Sequence, residues 1–118
     1  MIERIKKLPV WFFTTQKGRT PVIEWILELG PEDKKRIGRE LQTIEFGWPI
    51  GMPLCRAIKG HTGLWEARVN LSGGKIARLF FCVHKGKMAV LHSFIKKSQK
   101  TPKKEISIAV KRMKGLEP

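Results

Sequence analysis

The sequence predicts a small α+β domain spanning residues 1–118: an antiparallel, twisted sheet with an N-terminal helical hairpin and a C-terminal helix, in the order β-α-α-β-β-β-β-α. Three observations lead there. Residues 64–95 hold three strand-like runs joined by glycine turns, Ser72-Gly73-Gly74 and Lys85-Gly86. Two helix-start signals, Thr20-Pro21 and Gly30-Pro31, lie close together upstream, and a third, Thr101-Pro102, follows the strands. The chain has 118 residues and is 42% hydrophobic, enough for one core and not comfortably two.

Residues 2–13 are rich in apolar and aromatic side chains and read as a first strand, with Pro9 marking an edge or a bulge. Residues 16–19 form a turn. Thr20 then caps a helix that Pro21 opens, and Val22, Trp25, Ile26 and Leu29 make its apolar stripe. Gly30 ends it. Pro31 begins a second helix whose inner face is Ile37, Leu41 and Ile44, and the short junction implies a helical hairpin. Residues 46–53, with two Gly and two Pro, read as a loop, and residues 54–59 as a short edge strand. Residues 64–71 alternate: Trp65, Ala67, Val69 and Leu71 on one face, Glu66, Arg68 and Asn70 on the other. Residues 75–84 are apolar on both faces, the pattern of a central strand. Residues 87–95 make the fifth strand. Ile106, Ala109, Val110 and Met113 form the stripe of a last helix that ends at Gly115.

Register carries the first functional hint. Pairing the apolar faces of residues 64–71 and 75–84 across a three-residue loop sets Arg68 opposite Arg78. A loop two residues longer would offset them diagonally. Like charges directly opposite on a sheet are destabilising, so the arrangement makes sense where an anion sits between them. The face of His92 depends on the next turn. Two residues would send Met88, Val90, His92 and Phe94 to the core side. Three would place His92 and Phe94 beside the arginines, which is favoured because it gives the histidine polar neighbours.

The net charge of +14 is unevenly spread. Through Glu45 there are nine Lys/Arg against seven acids, and from Phe46 onward fifteen against three. Such a field attracts polyanions: nucleic acid, an acidic protein or an anionic membrane. No apolar run reaches the roughly 20 residues of a membrane helix, and the N-terminus lacks the pattern of a signal peptide. Cys55 and Cys82 have no metal-type spacing, which favours a reducing, cytoplasmic setting. No metal cluster, nucleotide loop or Ser/His/Asp signature stands out, and no cofactor is expected.

The runs GLWEARVNLSGGKIARLFF and VLHSFIKKSQKTPKKEI resemble the RelE/HigB superfamily of toxins, closest to its phage-related HigB-like branch. The matching motifs are residues 63–68, 78–81 and 92–102, written in that branch as GLxELR, xRxxF and HxFxKKxxKTP. The resemblance covers nearly the whole chain and implies a small RelE-like fold. It also implies a type II toxin–antitoxin toxin that cleaves mRNA in the ribosomal decoding site. The RNA 2′-hydroxyl is the attacking group, leaving a 2′,3′-cyclic phosphate. A helix-turn-helix antitoxin is the expected partner, in a hetero-oligomer, with no membrane involved. Several RelE-type toxins use a tyrosine near the C-terminal end of the sheet. This chain has none, and the resemblance brings Phe94 near that position, where it can stack on a base but cannot move a proton.

Internal cleavage of RNA requires loss of the 2′-hydroxyl proton, stabilisation of a phosphorane and protonation of the leaving 5′-oxygen. Arg68 and Arg78 suit the second task, since guanidinium stays charged and grips phosphate with two donors. His92 is the first choice of general acid or base, with nearby cations favouring its neutral form. Lys96 and Lys97 are further catalytic candidates, because a lysine beside other cations has a lowered pKa. Glu66 orients an arginine. Lys100, Lys75, Phe94, Lys103 and Lys104 are expected to bind RNA. Trp25 and Trp65 belong to the core, packing is the default for Trp11 and Trp48, and His61 and His84 lie in turns. The alternative is a basic nucleic-acid-binding module without catalysis, which composition alone supports equally well.

Overall fold

The computed structural model describes residues 5–96 and 102–117. Of the sequence-predicted site residues, Lys97 and Lys100 lie outside that range, as does Thr101 of the third helix-start signal. The elements follow the expected order: β1 (Val10–Phe12), α1 (Pro21–Leu27), α2 (Pro31–Gly47), β2 (Cys55–Ala57), β3 (Trp65–Asn70), β4 (Ile76–His84), β5 (Lys87–Ile95) and α3 (Lys103–Lys114). The strands form one sheet in the order β1-β5-β4-β3-β2.

That sheet is mixed rather than wholly antiparallel, because β1 runs parallel to β5, with Val10 beside Met88 and Phe12 beside Val90. β1 is also far shorter than residues 2–13. Just before it the backbone turns to the end of α2: Lys7 N and Leu8 N both donate to the Glu45 carbonyl, at 2.8 and 3.0 Å. Val10 N donates to the Glu45 carboxylate at 2.8 Å. Backbone amides satisfied by a helix end are not available to a sheet.

Two helices cover one face of the sheet and one covers the other. Val22 of α1 and Ile37, Leu41 and Ile44 of α2 pack with Ala67, Val69, Ala77, Leu79, Phe81 and Val90. Ala109 of α3, flanked by Ile106, Val110 and Met113, packs with Leu64, Phe80, Cys82, Ala89 and Leu91. β4 is apolar on both sides because both sides are covered. Trp48 sits edge-on to Trp65 and Phe81, with ring centroids 5.0 and 5.6 Å away, so it is a packing residue as expected.

The helix starts use proline as expected, with Pro21 and Pro31 at the first positions of α1 and α2. Thr20 occupies the N-cap position, but its side chain makes no capping bond; Arg19 and Glu24 pair across that turn instead. α1 stops at Leu27, short of Gly30, and α2 continues to Gly47, into the expected loop. Its first turn carries Asp33, whose carboxylate accepts from Ser72 N and Ser72 Oγ at 2.8 and 2.9 Å. The β3–β4 hairpin is thereby fastened to the start of α2. Gly73 and Gly74 have φ of 68° and 75°, which is why two glycines stand there.

The expected β3–β4 register is formed, with Arg68 directly opposite Arg78. The β4–β5 connection differs from the favoured version. Lys85-Gly86 is a two-residue turn with φ of 50° and 75°, and His84 pairs with Lys87. Alone, that turn would send His92 and Phe94 to the α1/α2 side. A bulge intervenes: Phe81 pairs with Val90 but Phe80 with His92, leaving Leu91 as the extra residue. The bulge returns His92 and Phe94 to the face that carries the arginines.

Candidate functional site

The rows across the sheet build the site. One row, from β2 to β5, reads Arg56, Glu66, Phe80, His92. The next reads Arg68, Arg78, Phe94. Lys96 follows β5, its backbone N–H donating to the Ile76 carbonyl at 2.8 Å. All the side chains in these rows share the α3 side of the sheet, but α3 packs against the Phe80 and Cys82 end of β4, so the arginines form a separate cluster.

Its centre is Glu66, fully buried. Glu66 Oε1 lies 3.4 Å from Arg56 Nε, and Oε2 lies 3.4 Å from Arg78 Nη1. Arg78 is only 1% exposed. Burial pulls its pKa down, Glu66 opposes that shift, and Arg56 and Arg68 add to it. A buried charge persists only when paired, and Glu66 supplies the pairing for two arginines at once. Arg68 is half-buried and, among the described residues, in no ion pair. Two guanidiniums therefore share one carboxylate, and a third, Arg68, lies directly opposite Arg78 on the neighbouring strand. Lys96 stands in the same field: desolvation first, then the charges of Arg78 and Arg68, pulls its pKa below the usual lysine range.

His92 is placed differently from a free acid or base. Its Nε2 lies 2.5 Å from Glu105 Oε2 in the first turn of α3, and the ring is largely buried. Burial lowers its pKa, the Glu105 bond opposes this, and Arg112 adds to the lowering. Phe94 stacks on the His92 ring, centroids 5.9 Å apart, and contacts Phe80 at 5.4 Å, so its ring is already engaged within the protein. Arg112 of α3 donates to the carbonyl of the bulged Leu91 at 2.8 Å. Together these contacts dock α3 on the sheet.

The remaining candidates are scattered. Lys75 lies at the hairpin, 3.8 Å from Asp33, and is about half exposed. Lys103 and Lys104 are exposed on the first turn of α3. His61 is exposed and His84 half-buried. Both cysteines are buried and unbonded, and burial pushes their thiols up, Cys55 to about 11, which makes them inert at neutral pH. Among the described residues no group of three His, Cys, Asp or Glu side chains could hold a metal. No described helix is long and apolar enough to cross a membrane.

Sequence reasoning missed Arg56. Its signal was faint: an arginine between Leu54 and Ile58 on an edge strand, opposite an acid that turns out to be fully buried. It also missed a cleft of about 520 Å³ between α2 and β3, lined by Arg36, Arg39, Glu40, Leu54, Arg68 and Asn70 among others.

Residues 24–114, well over half of the chain, match the family model described as phage-derived protein Gp49-like (DUF891). No curated protein matches the chain.

Proposed function

The chain belongs to the phage-derived Gp49-like family, a toxin-like family of the RelE kind, and on that footing we propose that it is the toxin of a type II toxin–antitoxin system, a ribosome-dependent mRNA endonuclease acting in the cytoplasm. The observation that carries this reading is the pairing of Arg56 and Arg78 with the single buried carboxylate of Glu66, with Arg68 directly opposite Arg78. Opposed arginines destabilise a free sheet, and Arg68, directly opposite Arg78, is in no ion pair among the described residues. The excess positive charge is held in place by the sheet itself, so nothing has to reorganise when charge develops on a phosphorane.

In this mechanism the half-exposed Arg68 and Arg56 grip the non-bridging oxygens of the scissile phosphate. Arg78, buried beneath them, holds Glu66 and adds its field from below; it is a positioning residue. Lys96, with its lowered pKa, is the proton donor to the leaving 5′-oxygen. The RNA supplies its own nucleophile: the 2′-hydroxyl oxygen bonds to phosphorus as its proton passes to solvent water, and the bond from phosphorus to the 5′-oxygen breaks. His92 acts through position, holding α3 by way of Glu105. Lys97 and Lys100 extend the cation run that follows β5 in sequence. The message in the ribosomal decoding site is the substrate, and a helix-turn-helix antitoxin is the expected neutralising partner.

A purified translation system with a defined mRNA tests this. New 5′ ends at fixed codon positions should appear with ribosomes and without added metal beyond that needed for translation, and should vanish with Arg68→Ala. An intact message, together with tight and salt-sensitive RNA binding, would leave the basic binding module as the better account.

A further inference from the structure

The cleft between α2 and β3 shares a wall with the arginine cluster, because Arg68 lines both. It exists because β2 is short. Cys55 pairs with Ala67 and the Leu54 carbonyl accepts from Arg68 N, so β3 runs on past its neighbour and Val69 and Asn70 border open space. Asn70 is exposed there, and its carbonyl accepts from Arg36 Nη1 at 3.4 Å. Arg36 Nε is also 3.3 Å from Glu32, which ties that guanidinium down as a brace across the cleft. Arg39 and Glu40, one turn further along α2, are different. Among the described residues neither makes an ion pair, and neither does Arg68. Free charges of both signs thus face one hollow, with Leu54 and Pro53 adding an apolar patch.

A surface that merely attracted anions would have no use for a carboxylate in the same hollow. A ribonucleotide presents both complements: phosphate oxygens for guanidinium, and hydroxyl or amino hydrogens for a carboxylate, with the flat face of sugar and base for the apolar patch. The volume is that of a small-ligand site. We propose that this cleft is a subsite for a nucleotide flanking the scissile phosphate, with Arg39 and Arg68 on its phosphate and Glu40 accepting from its ribose or base. The RNA strand then leaves the arginine cluster over the open end of β3 and passes along α2. This rests on the RNA-cleaving reading above and extends it to a second contact on the same strand.

The test uses the full chain, a fluorescein-labelled single-stranded oligoribonucleotide, and anisotropy titrations over a range of salt. Arg39 is exposed, so Arg39→Ala will fold. It should weaken RNA binding several-fold and reduce the log–log salt slope by about 0.7, the contribution of one single-strand phosphate contact. Glu40→Gln separates a subsite from a bare electrostatic surface. Removing a negative charge tightens RNA on the latter, whereas the subsite loses an acceptor and should bind about threefold more weakly. An unchanged slope with Arg39→Ala, or tighter binding with Glu40→Gln, overturns the proposal. Ribosomal cleavage is scored in parallel on the wild-type chain. If it is present while the slope is unmoved, the cleft alone is wrong. If it is absent while both variants behave as expected, the cleft binds an RNA nucleotide but flanks no scissile phosphate, and the cleavage reading falls.

Discussion

Arg68 and Arg78 face each other across β3 and β4, yet they are not equivalent targets for mutation. Arg78 is buried against Glu66, and truncating one partner of a buried pair costs up to about 3–5 kcal/mol, less here to the extent that Arg56 still pairs with Glu66. Lost cleavage in Arg78→Ala would therefore report folding as much as chemistry. Arg68 is half-buried and carries no ion pair among the described residues, so Arg68→Ala should keep its melting temperature or gain slightly from relief of the opposed charges. Ribosomal cleavage should nonetheless fall roughly a hundredfold or more, the usual effect of removing one preorganised donor. A well-folded Arg68→Ala chain that cuts at the wild-type rate would remove Arg68 from the mechanism. This pair was legible from sequence because alternation along residues 64–71 and a three-residue loop leave one register. Arg56 was not: on a three-residue strand there is too little alternation to show which side chains face the sheet's interior. Its importance depends on Glu66 being buried, which only the packing of neighbouring rows reveals.

At the level of elements, the position of His92 was reached by a route the sequence did not disclose. Nothing in the run Met88 to Phe94 marks Leu91 as a bulge, since the extra residue is apolar and joins a core on the α3 side. The parallel pairing of β1 was equally hidden, because a three-residue strand finds its partner some eighty positions away in sequence and the amides before it are taken by α2. The bulge has a consequence for pH. It brings His92 against Glu105 of α3, with Arg112 of the same helix nearby. Burial is the largest influence, so the folded pKa lies below the ordinary 6.5. Below 6.5 the unfolded chain then binds a proton that the folded chain resists, and the stability contributed by this site is lost as pH falls. Chemical denaturation should show the wild-type chain losing stability as pH falls below 6.5, with His92→Gln flatter over the same range; parallel curves would show that His92 does not titrate in the way its surroundings dictate. Asp33 works at the opposite end of the sheet and in a more acidic range. Its pKa is lowered chiefly by the Ser72 backbone bond, so the hairpin's attachment to α2 holds above the ordinary 3.8 and fails as pH drops through the depressed folded value. Asp33→Asn should raise amide exchange in the β3–β4 hairpin at neutral pH while leaving α3 unaffected, and equal exchange in both chains would mean the hairpin is held by its glycines and strand pairing alone.

For the molecule as a whole, a net charge of +14 on 118 residues is a standing repulsion that the fold has to overcome. The sequence placed most of that excess after Phe46, and the arginines and Lys96 gathered on one side of the sheet come from that part of the chain. Charge held together against its own repulsion is the arrangement of a site that trades stability for function. A polyanion that binds the folded chain should therefore stabilise it twice over, by mass action and by relieving the repulsion. Mass action alone gives about 2.7 kcal/mol at a hundred times the dissociation constant, which for a chain of this length is a rise of about 10 °C in melting temperature. A short single-stranded RNA should produce at least that shift. Sodium chloride should raise the melting temperature of the free chain by screening and at the same time shrink the RNA-induced shift by weakening binding. Arg68→Ala should begin no lower than the wild-type chain and gain less from RNA, because one repulsive charge and one phosphate contact are the same group. A lower starting point would show that the opposed arginines do not strain the fold, and a gain equal to the wild type's would show that Arg68 does not grip RNA, leaving binding to some other surface of the chain.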